Sequence, residues 1–268
     1  MYSIYDFVFG EKRYQPDELF NQREIAAFLQ QSQGILTIPD VMKLNGLPRH
    51  EAEKLFSDVL IRFEGEPSVS TDGVLYGDFR EFILRKNEST EKVTYYWDEY
   101  EPEYNLTGNT KGRNTLIVFL NGFNLFFAFL GMTGFFNVML DEPEAMWMIT
   151  WLGWVPLVFS MIFFLIPTIR YFRLTPLRKA RQENNRRKRV FKAVFLSPET
   201  TLSLSDVQQK VNQDAVTEAL KPAEIQPLFF DLAHDLSTDT RVREDEVVFD
   251  FAHLREAQQL RNRLELGE

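Results

Sequence analysis

The chain has 268 residues, is 44% hydrophobic, carries a formal net charge of −9 and contains no cysteine. That leaves room for two small cored domains and a membrane unit, and it excludes disulfides, thiolate metal sites and cysteine nucleophiles. Three scattered histidines, His50, His234 and His253, argue against a histidine metal site, and an acidic chain is a poor general binder of nucleic acid.

Residues 2–6, Tyr-Ser-Ile-Tyr-Asp, carry no basic stretch and no long apolar run, so no cleavable signal peptide is expected. Residues 21–30 read as an amphipathic helix, with Ile25, Phe28 and Leu29 among its apolar residues, and Gly34-Ile35-Leu36-Thr37-Ile38 as a short strand. Thr37 or Asp40 can cap a second helix that ends near Asn45-Gly46, where a positive φ is tolerated. Pro48 opens a third helix with the apolar stripe Ala52, Leu55, Phe56, Val59 and Phe63. A hairpin follows: Pro67-Ser68-Val69-Ser70, the turn Thr71-Asp72-Gly73, then Val74-Leu75-Tyr76. Beyond Tyr95-Tyr96-Trp97, the acidic and aromatic stretch from Asp98 to Tyr104 reads as a linker, with a protein interface as the alternative.

Residues 115–140 and 145–169 are nearly all apolar and uncharged, and each exceeds the roughly 20 residues that cross a bilayer core. The short link Asp141-Glu142-Pro143-Glu144 makes them antiparallel neighbours. Lys111 and Arg113 precede the first span and a basic run follows the second. The positive-inside rule therefore predicts both termini in the cytoplasm, at the inner membrane if the source is bacterial. Trp147, Trp151 and Trp154 suit an interfacial aromatic anchor near the outer end. Asn121, Asn124, Ala128 and Gly131 share one face of the first span, and Gly153, Pro156 and Ser160 one face of the second. At matched depths these small and polar residues are expected to pack the hairpin; a solute path along the asparagines would need more than one hairpin.

The basic run is Arg170, Arg173, Arg178, Lys179, Arg181, Arg186, Arg187, Lys188 and Arg189. It acts as a stop-transfer signal and is expected to meet anionic lipid headgroups, worth about 1 kcal/mol per charge near the surface. Pro176 interrupts it, so a single straight helix out of the second span is not expected. The opening pattern then recurs. Phe191, Val194 and Phe195 precede Leu202-Ser203-Leu204-Ser205-Asp206-Val207 at the spacing of Ile25, Phe28 and Leu29 before Leu36-Thr37-Ile38-Pro39-Asp40-Val41. Ile225, Leu228, Phe229, Leu232 and Leu236 repeat the third-helix stripe, and Val247-Val248-Phe249-Asp250-Phe251 matches Val74-Leu75-Tyr76-Gly77-Asp78-Phe79 as a closing strand. A last helix, residues 252–264, groups Leu254, Ala257, Leu260 and Leu264 and docks on its own domain or on a second copy of the chain.

Helix, strand, helix, helix and a two-stranded wing: this order resembles the winged-helix family of helix-turn-helix domains, over residues 21–79 and again over 188–251. The second copy departs from it by a longer stretch between Val211 and Leu220 and by a wing turn without glycine, Arg243-Glu244-Asp245-Glu246. The resemblance implies a third helix that in many members reads DNA. Here that helix offers Arg49, His50, Glu51, Glu53, Lys54 and Asp58 in the first copy, and Lys221, Glu224, Gln226, Asp231, His234 and Asp235 in the second. Acids facing phosphates are repelled, so a protein partner is favoured over DNA, with Arg49, Glu51, Glu53, Lys54, Glu224 and Asp231 as contact candidates.

No phosphate loop, His-Glu-x-x-His pattern, nucleophile elbow or dinucleotide fingerprint occurs, so no catalytic, cofactor or metal residue is assigned. Glu142 and Glu144, in an exposed link, lack a pocket that would shift their titration. The expected architecture is two α+β, winged-helix-like soluble domains and an all-α transmembrane hairpin, divided as residues 1–110, 111–172 and 173–268. The expected function is non-enzymatic: a membrane adaptor, scaffold or assembly factor, with a membrane-tethered transcription regulator as the alternative. Expected partners are anionic lipids, a protein, and a second copy of the chain.

Overall fold

A computed structural model describes residues 2–9, 20–84, 92–141, 144–213, 218–243 and 246–265. In chain order the elements are α1 (Tyr2–Phe9), α2 (Phe20–Gln31), β1 (Ile35–Thr37), α3 (Ile38–Asn45), α4 (Arg49–Arg62), β2 (Glu66–Val69), β3 (Leu75–Asp78) and α5 (Arg80–Leu84). A 3-10 turn (Tyr96–Asp98) leads to α6 (Lys111–Met132), α7 (Phe135–Met139), α8 (Met146–Met148), a π turn (Ile149–Trp154) and α9 (Val155–Phe195). The chain continues with β4 (Thr201–Ser203), α10 (Leu204–Gln213), α11 (Pro222–Asp235), β5 (Asp239–Arg243), β6 (Glu246–Asp250) and α12 (Ala252–Glu265). The structure is mostly helical, with two small antiparallel sheets and two helices long and apolar enough to cross a membrane, Lys111–Met132 and Met146–Phe195. It divides into two compact units. One holds Met1–Gln15 and Pro102–Gln182; the other holds Pro16–Glu101 and Glu183–Glu268, and so contains both sheets.

In the unit that holds the sheets, one element order occurs twice: α2-β1-α3-α4-β2-β3, and the end of α9 followed by β4-α10-α11-β5-β6. The strand orders correspond, β1-β3-β2 and β4-β6-β5. The short Thr/Ser-x-x-Asp motif explains why a helix starts at the same point in each. Thr37 Oγ1 accepts from the Asp40 amide at 3.3 Å while Asp40 Oδ2 accepts from the Thr37 amide at 3.1 Å, and Ser203 and Asp206 exchange the same bonds at 3.2 and 3.0 Å. Two of the donors orphaned at each helix start are thereby satisfied. The close is also shared: the Phe79 amide donates to the Gly34 carbonyl and the Phe251 amide to the Thr200 carbonyl, each at 2.7 Å. Thr71-Asp72-Gly73 turns the chain between β2 and β3, with Gly73 at φ 82°. The stretch 214–217 and the turn residues Glu244 and Asp245 lie outside the described residues.

A single apolar core runs through this unit. It contains Phe28, Leu36, Val41 and Phe56 from α2, β1, α3 and α4, and Phe191, Leu202, Val207 and Phe229 from α9, β4, α10 and α11. The helix α12 closes over the end of α9. Leu254, Ala257 and Leu260 are buried, and Arg255 donates to the carbonyls of Val194 and Glu199 at 2.8 and 3.1 Å. A cation there satisfies carbonyls left open by the end of the helix.

In the other unit the first apolar segment is not one helix over 115–140. It stops at Met132, where Thr133 Oγ1 donates to the Leu130 carbonyl at 2.7 Å and Gly134 takes φ 75°, and only a short α7 follows. The second segment departs from expectation in the opposite direction: α9 runs unbroken through Pro167 and Pro176. A proline inside a helix costs about 3 kcal/mol, but the turns beyond Pro176 are held by other contacts. Arg178 and Arg181 donate to main-chain carbonyls of Tyr104 and Pro102.

Candidate functional site

Three surfaces gather the sequence-predicted functional residues.

The first is the third-helix face of each copy. On α4, His50, Glu51, Lys54 and Asp58 are exposed. Arg49 is committed: Nε donates to Glu53 at 2.7 Å and Nη1 to Ser237 Oγ at 2.9 Å. The turn between β2 and β3 is engaged as well, Asp72 pairing with Arg263 of α12 at 2.7 Å. On α11, Gln226, Asp231 and His234 are exposed, Glu224 pairs with Arg186 at 2.8 Å, and Asp235 lies 3.9 Å from Arg187. Arg49, Arg186, Arg187 and Arg263 near these faces therefore face acids, Lys54 is exposed, and the faces stay mixed to acidic.

The second surface is the basic stretch of α9, together with the acidic stretch that the sequence reads as a linker. Within the sheet-bearing unit, residues 92–101 form a strap on the helix. Tyr96 meets the edge of Phe191 at 5.3 Å and Trp97 packs on Phe195 at 5.9 Å. Asn185 accepts from the Glu101 amide at 3.1 Å and donates to its carbonyl at 2.8 Å. Gly46 makes room: it sits at φ 65°, and a Cβ there would fall 2.5 Å from the Tyr96 ring. Lys188 is 4% exposed; its Nζ donates to Glu101 at 2.9 Å and to the Glu99 carbonyl, and lies 4.9 Å from the Tyr96 ring centre. Within the other unit, Tyr104 stacks on the Arg181 guanidinium at 3.4 Å, its carbonyl accepts from Arg178 at 2.8 Å, and Glu103 accepts from Gln182 at 2.7 Å.

This corrects the expectation that the whole basic run meets lipid. Lys188 is buried, Arg186 is paired with Glu224, and Arg189 donates to the carbonyls of Val211 and Glu218 at 3.1 and 3.0 Å. Arg173 and Lys179 are exposed and Arg170 is half-buried. The strap also creates a buried acid that sequence reasoning missed. Glu24 of α2 is 6% exposed and accepts from the Thr94 amide at 3.1 Å. Burial, reinforced by nearby Glu99 and opposed by the Thr94 bond, lifts its carboxyl to about 7. Burial also raises Glu99, against the pull of Lys188. A signal was present: an acidic run and a basic run in one chain.

The third surface is the seam between α6 and the second apolar helix. A Cβ on Gly131 would lie 2.6 Å from the Leu152 carbonyl oxygen, and one on Gly153 2.7 Å from the Met132 amide nitrogen, so the two backbones nearly touch. Ala128 is buried. Further along, Asn124 Nδ2 donates to Ser160 Oγ at 2.9 Å, and Ser160 donates to Asn121 Oδ1 at 3.3 Å. Pro156 lines, with both asparagines, an apolar groove of about 550 Å³. Small residues permit the approach, and Asn124, Ser160 and Asn121 Oδ1 bond across the helices, whereas the buried Asn121 Nδ2 finds no partner among the described residues. Trp147, Trp151 and Trp154 are exposed.

Among the described residues, no three of His, Asp and Glu come together in a way that could hold a metal ion. Neither a known family model, nor a curated protein, nor a solved structure matches this chain.

Proposed function

We propose that this protein is a non-enzymatic membrane adaptor, scaffold or assembly factor, which offers two winged-helix-like modules to a protein partner from a transmembrane hairpin with both termini cytoplasmic. The twice-occurring element and strand order supports the winged-helix-like reading. The observation that carries the function is the character of the third-helix faces. Glu51, Asp58 and Asp231 are exposed, while Arg49, the cation at the start of α4, is occupied by Glu53 and Ser237. A surface of this kind repels phosphates and suits a protein with complementary cations. The cytoplasmic orientation rests on Lys111, Arg113 and Arg173 at one end of the spans and on Asp141 and Glu144 at the other.

The test uses the full chain in detergent. Glu51→Lys with Asp58→Lys reverses two exposed acids and leaves the Arg49–Glu53 pair intact. Proteins that copurify with the native chain should be lost from this variant, whose melting temperature stays within a few degrees of the native. Salt-sensitive binding of a DNA duplex by the unaltered chain near physiological salt would overturn the adaptor reading and favour a membrane-tethered transcription regulator.

A further inference from the structure

The helix α1 packs on the membrane hairpin, although the sequence gives it no membrane role. Phe7 and Val8 are buried, and Phe7 stacks on Phe163 at 5.4 Å, beside Ile117, Phe164 and Ile166. Ile4 joins Leu120 and Phe159 along the wall of the hairpin groove. The Asp6 carbonyl accepts from the Gly108 amide at 3.4 Å, which fixes the end of the helix close to the start of α6.

Apart from one half-buried acid, Asp6, the described side chains of α1 that reach outward are apolar as well. Ile4, Tyr5 and Phe9 are 55%, 53% and 57% exposed. Large apolar side chains exposed on an eight-residue helix, beside its packed face, are stabilised by an apolar surrounding. The neighbouring helix surfaces bear exposed Phe119, Phe123 and Phe159, so the medium that covers them also reaches α1. Depth follows from the helical rise of about 1.5 Å per residue. Phe163 lies seven residues before Arg170 and Leu120 seven residues after Arg113, so each sits about 10 Å inside the charged border. With eight residues, α1 is about 12 Å long, far too short to cross a core of about 30 Å.

We infer that α1 is a third membrane-embedded element, a half-buried helix whose Ile4, Tyr5 and Phe9 face the lipid acyl chains of the leaflet bordered by Lys111, Arg113 and Arg170. This inference rests on the transmembrane reading of the hairpin. Embedded interfacial helices lie about 5–10 Å into this boundary, which matches the depth of Phe163 and Leu120. The occupant is acyl chain and not a soluble partner, because the exposed side chains of α1 are continuous with the lipid-facing side chains of the spans.

The absence of native cysteine allows a direct test in phospholipid vesicles. Nitroxides are attached singly to Ile4→Cys, Tyr5→Cys and Phe9→Cys, with Phe123→Cys as the spanning reference and Ser57→Cys as the aqueous one. Collision with oxygen, which concentrates in lipid, is compared with collision with a water-soluble nickel chelate. The α1 sites should resemble Phe123→Cys, with chelate collisions reduced at least several-fold relative to Ser57→Cys. If the α1 sites resemble Ser57→Cys while Phe123→Cys reports lipid, the inference about α1 fails and the spanning hairpin stands. If Phe123→Cys also reports water, the transmembrane reading fails and the inference falls with it.

Discussion

Replacing Gly131 by alanine should destabilise the hairpin even though alanine is the smallest side chain that could be added. The new Cβ would stand 2.6 Å from the Leu152 carbonyl oxygen, 2.7 Å from its carbon and 2.9 Å from the Gly153 nitrogen. Ordinary contact begins at 3.4 Å, so the shortfall at the oxygen, 3.4 less 2.6, is 0.8 Å. All three obstacles are backbone, so no rotamer change relieves them and the helices themselves must part. Overpacking of this kind costs roughly 1–3 kcal/mol. Alanine also gains up to about 1 kcal/mol over glycine as a helix former, which would mask part of the loss. Gly122 supplies the control: it lies on the same helix, and a Cβ there meets nothing within 4 Å. The propensity gain is common to both, so the difference between Gly131→Ala and Gly122→Ala isolates the clash at about 1–3 kcal/mol. Gly153→Ala should behave like Gly131→Ala, since its Cβ would meet the Met132 amide nitrogen at 2.7 Å. The double variant should lose less than the sum, because parting the seam once relieves both clashes. Unfolding in a graded detergent series, followed by the fluorescence of Trp147, Trp151 and Trp154, measures each term. Gly131→Ala as stable as Gly122→Ala would refute the close seam.

Two further outcomes are expected. Burial lifts the Glu24 carboxyl to about 7 in the fold from its ordinary 4.5, so folding favours its neutral form. Its stabilising influence is complete below about 4.5 and is lost as pH rises through 7, a decline of about 3 kcal/mol at 1.36 kcal/mol per pKa unit. Denaturant unfolding between pH 5 and 8 should show this loss, and Glu24→Gln should remove most of it; an unchanged slope in that variant would assign the dependence to another group. For topology, Glu144→Cys should react with a membrane-impermeant thiol reagent in intact cells, while Ser57→Cys and Gln226→Cys should react only after lysis. Labelling of either of the latter two in intact cells would reverse the proposed orientation.

The sequence alone determined the local starts and stops. Thr37-x-x-Asp40 and Ser203-x-x-Asp206 close hydrogen bonds over three residues, so the boundaries of α3 and α10 could be read without any tertiary contact. Gly46 and the Asp72-Gly73 turn were legible for the same reason, as were the apolar segments, whose length and lack of charge are linear properties. Burial of charge was not legible. Lys188 reads as one more cation in a basic run, and only the return of the strap along α9 places it against Glu101 and Tyr96. Glu24 looks like the polar side of an amphipathic helix until Thr94 and Glu99 close over it. Local propensity also did not show that α9 continues through Pro176, because the partners of Arg178 and Arg181, Tyr104 and Pro102, lie 74 and 79 residues earlier in the sequence. The role of α1 was hidden likewise: eight residues are too few to register as a membrane segment, and the apolar surroundings that give them meaning come from Ile117, Leu120 and Phe163, more than a hundred residues further along the chain. Hydrogen bonds and turns close within a few residues and so are written in the sequence. Desolvation depends on every group that comes near, and only the tertiary structure decides which groups those are.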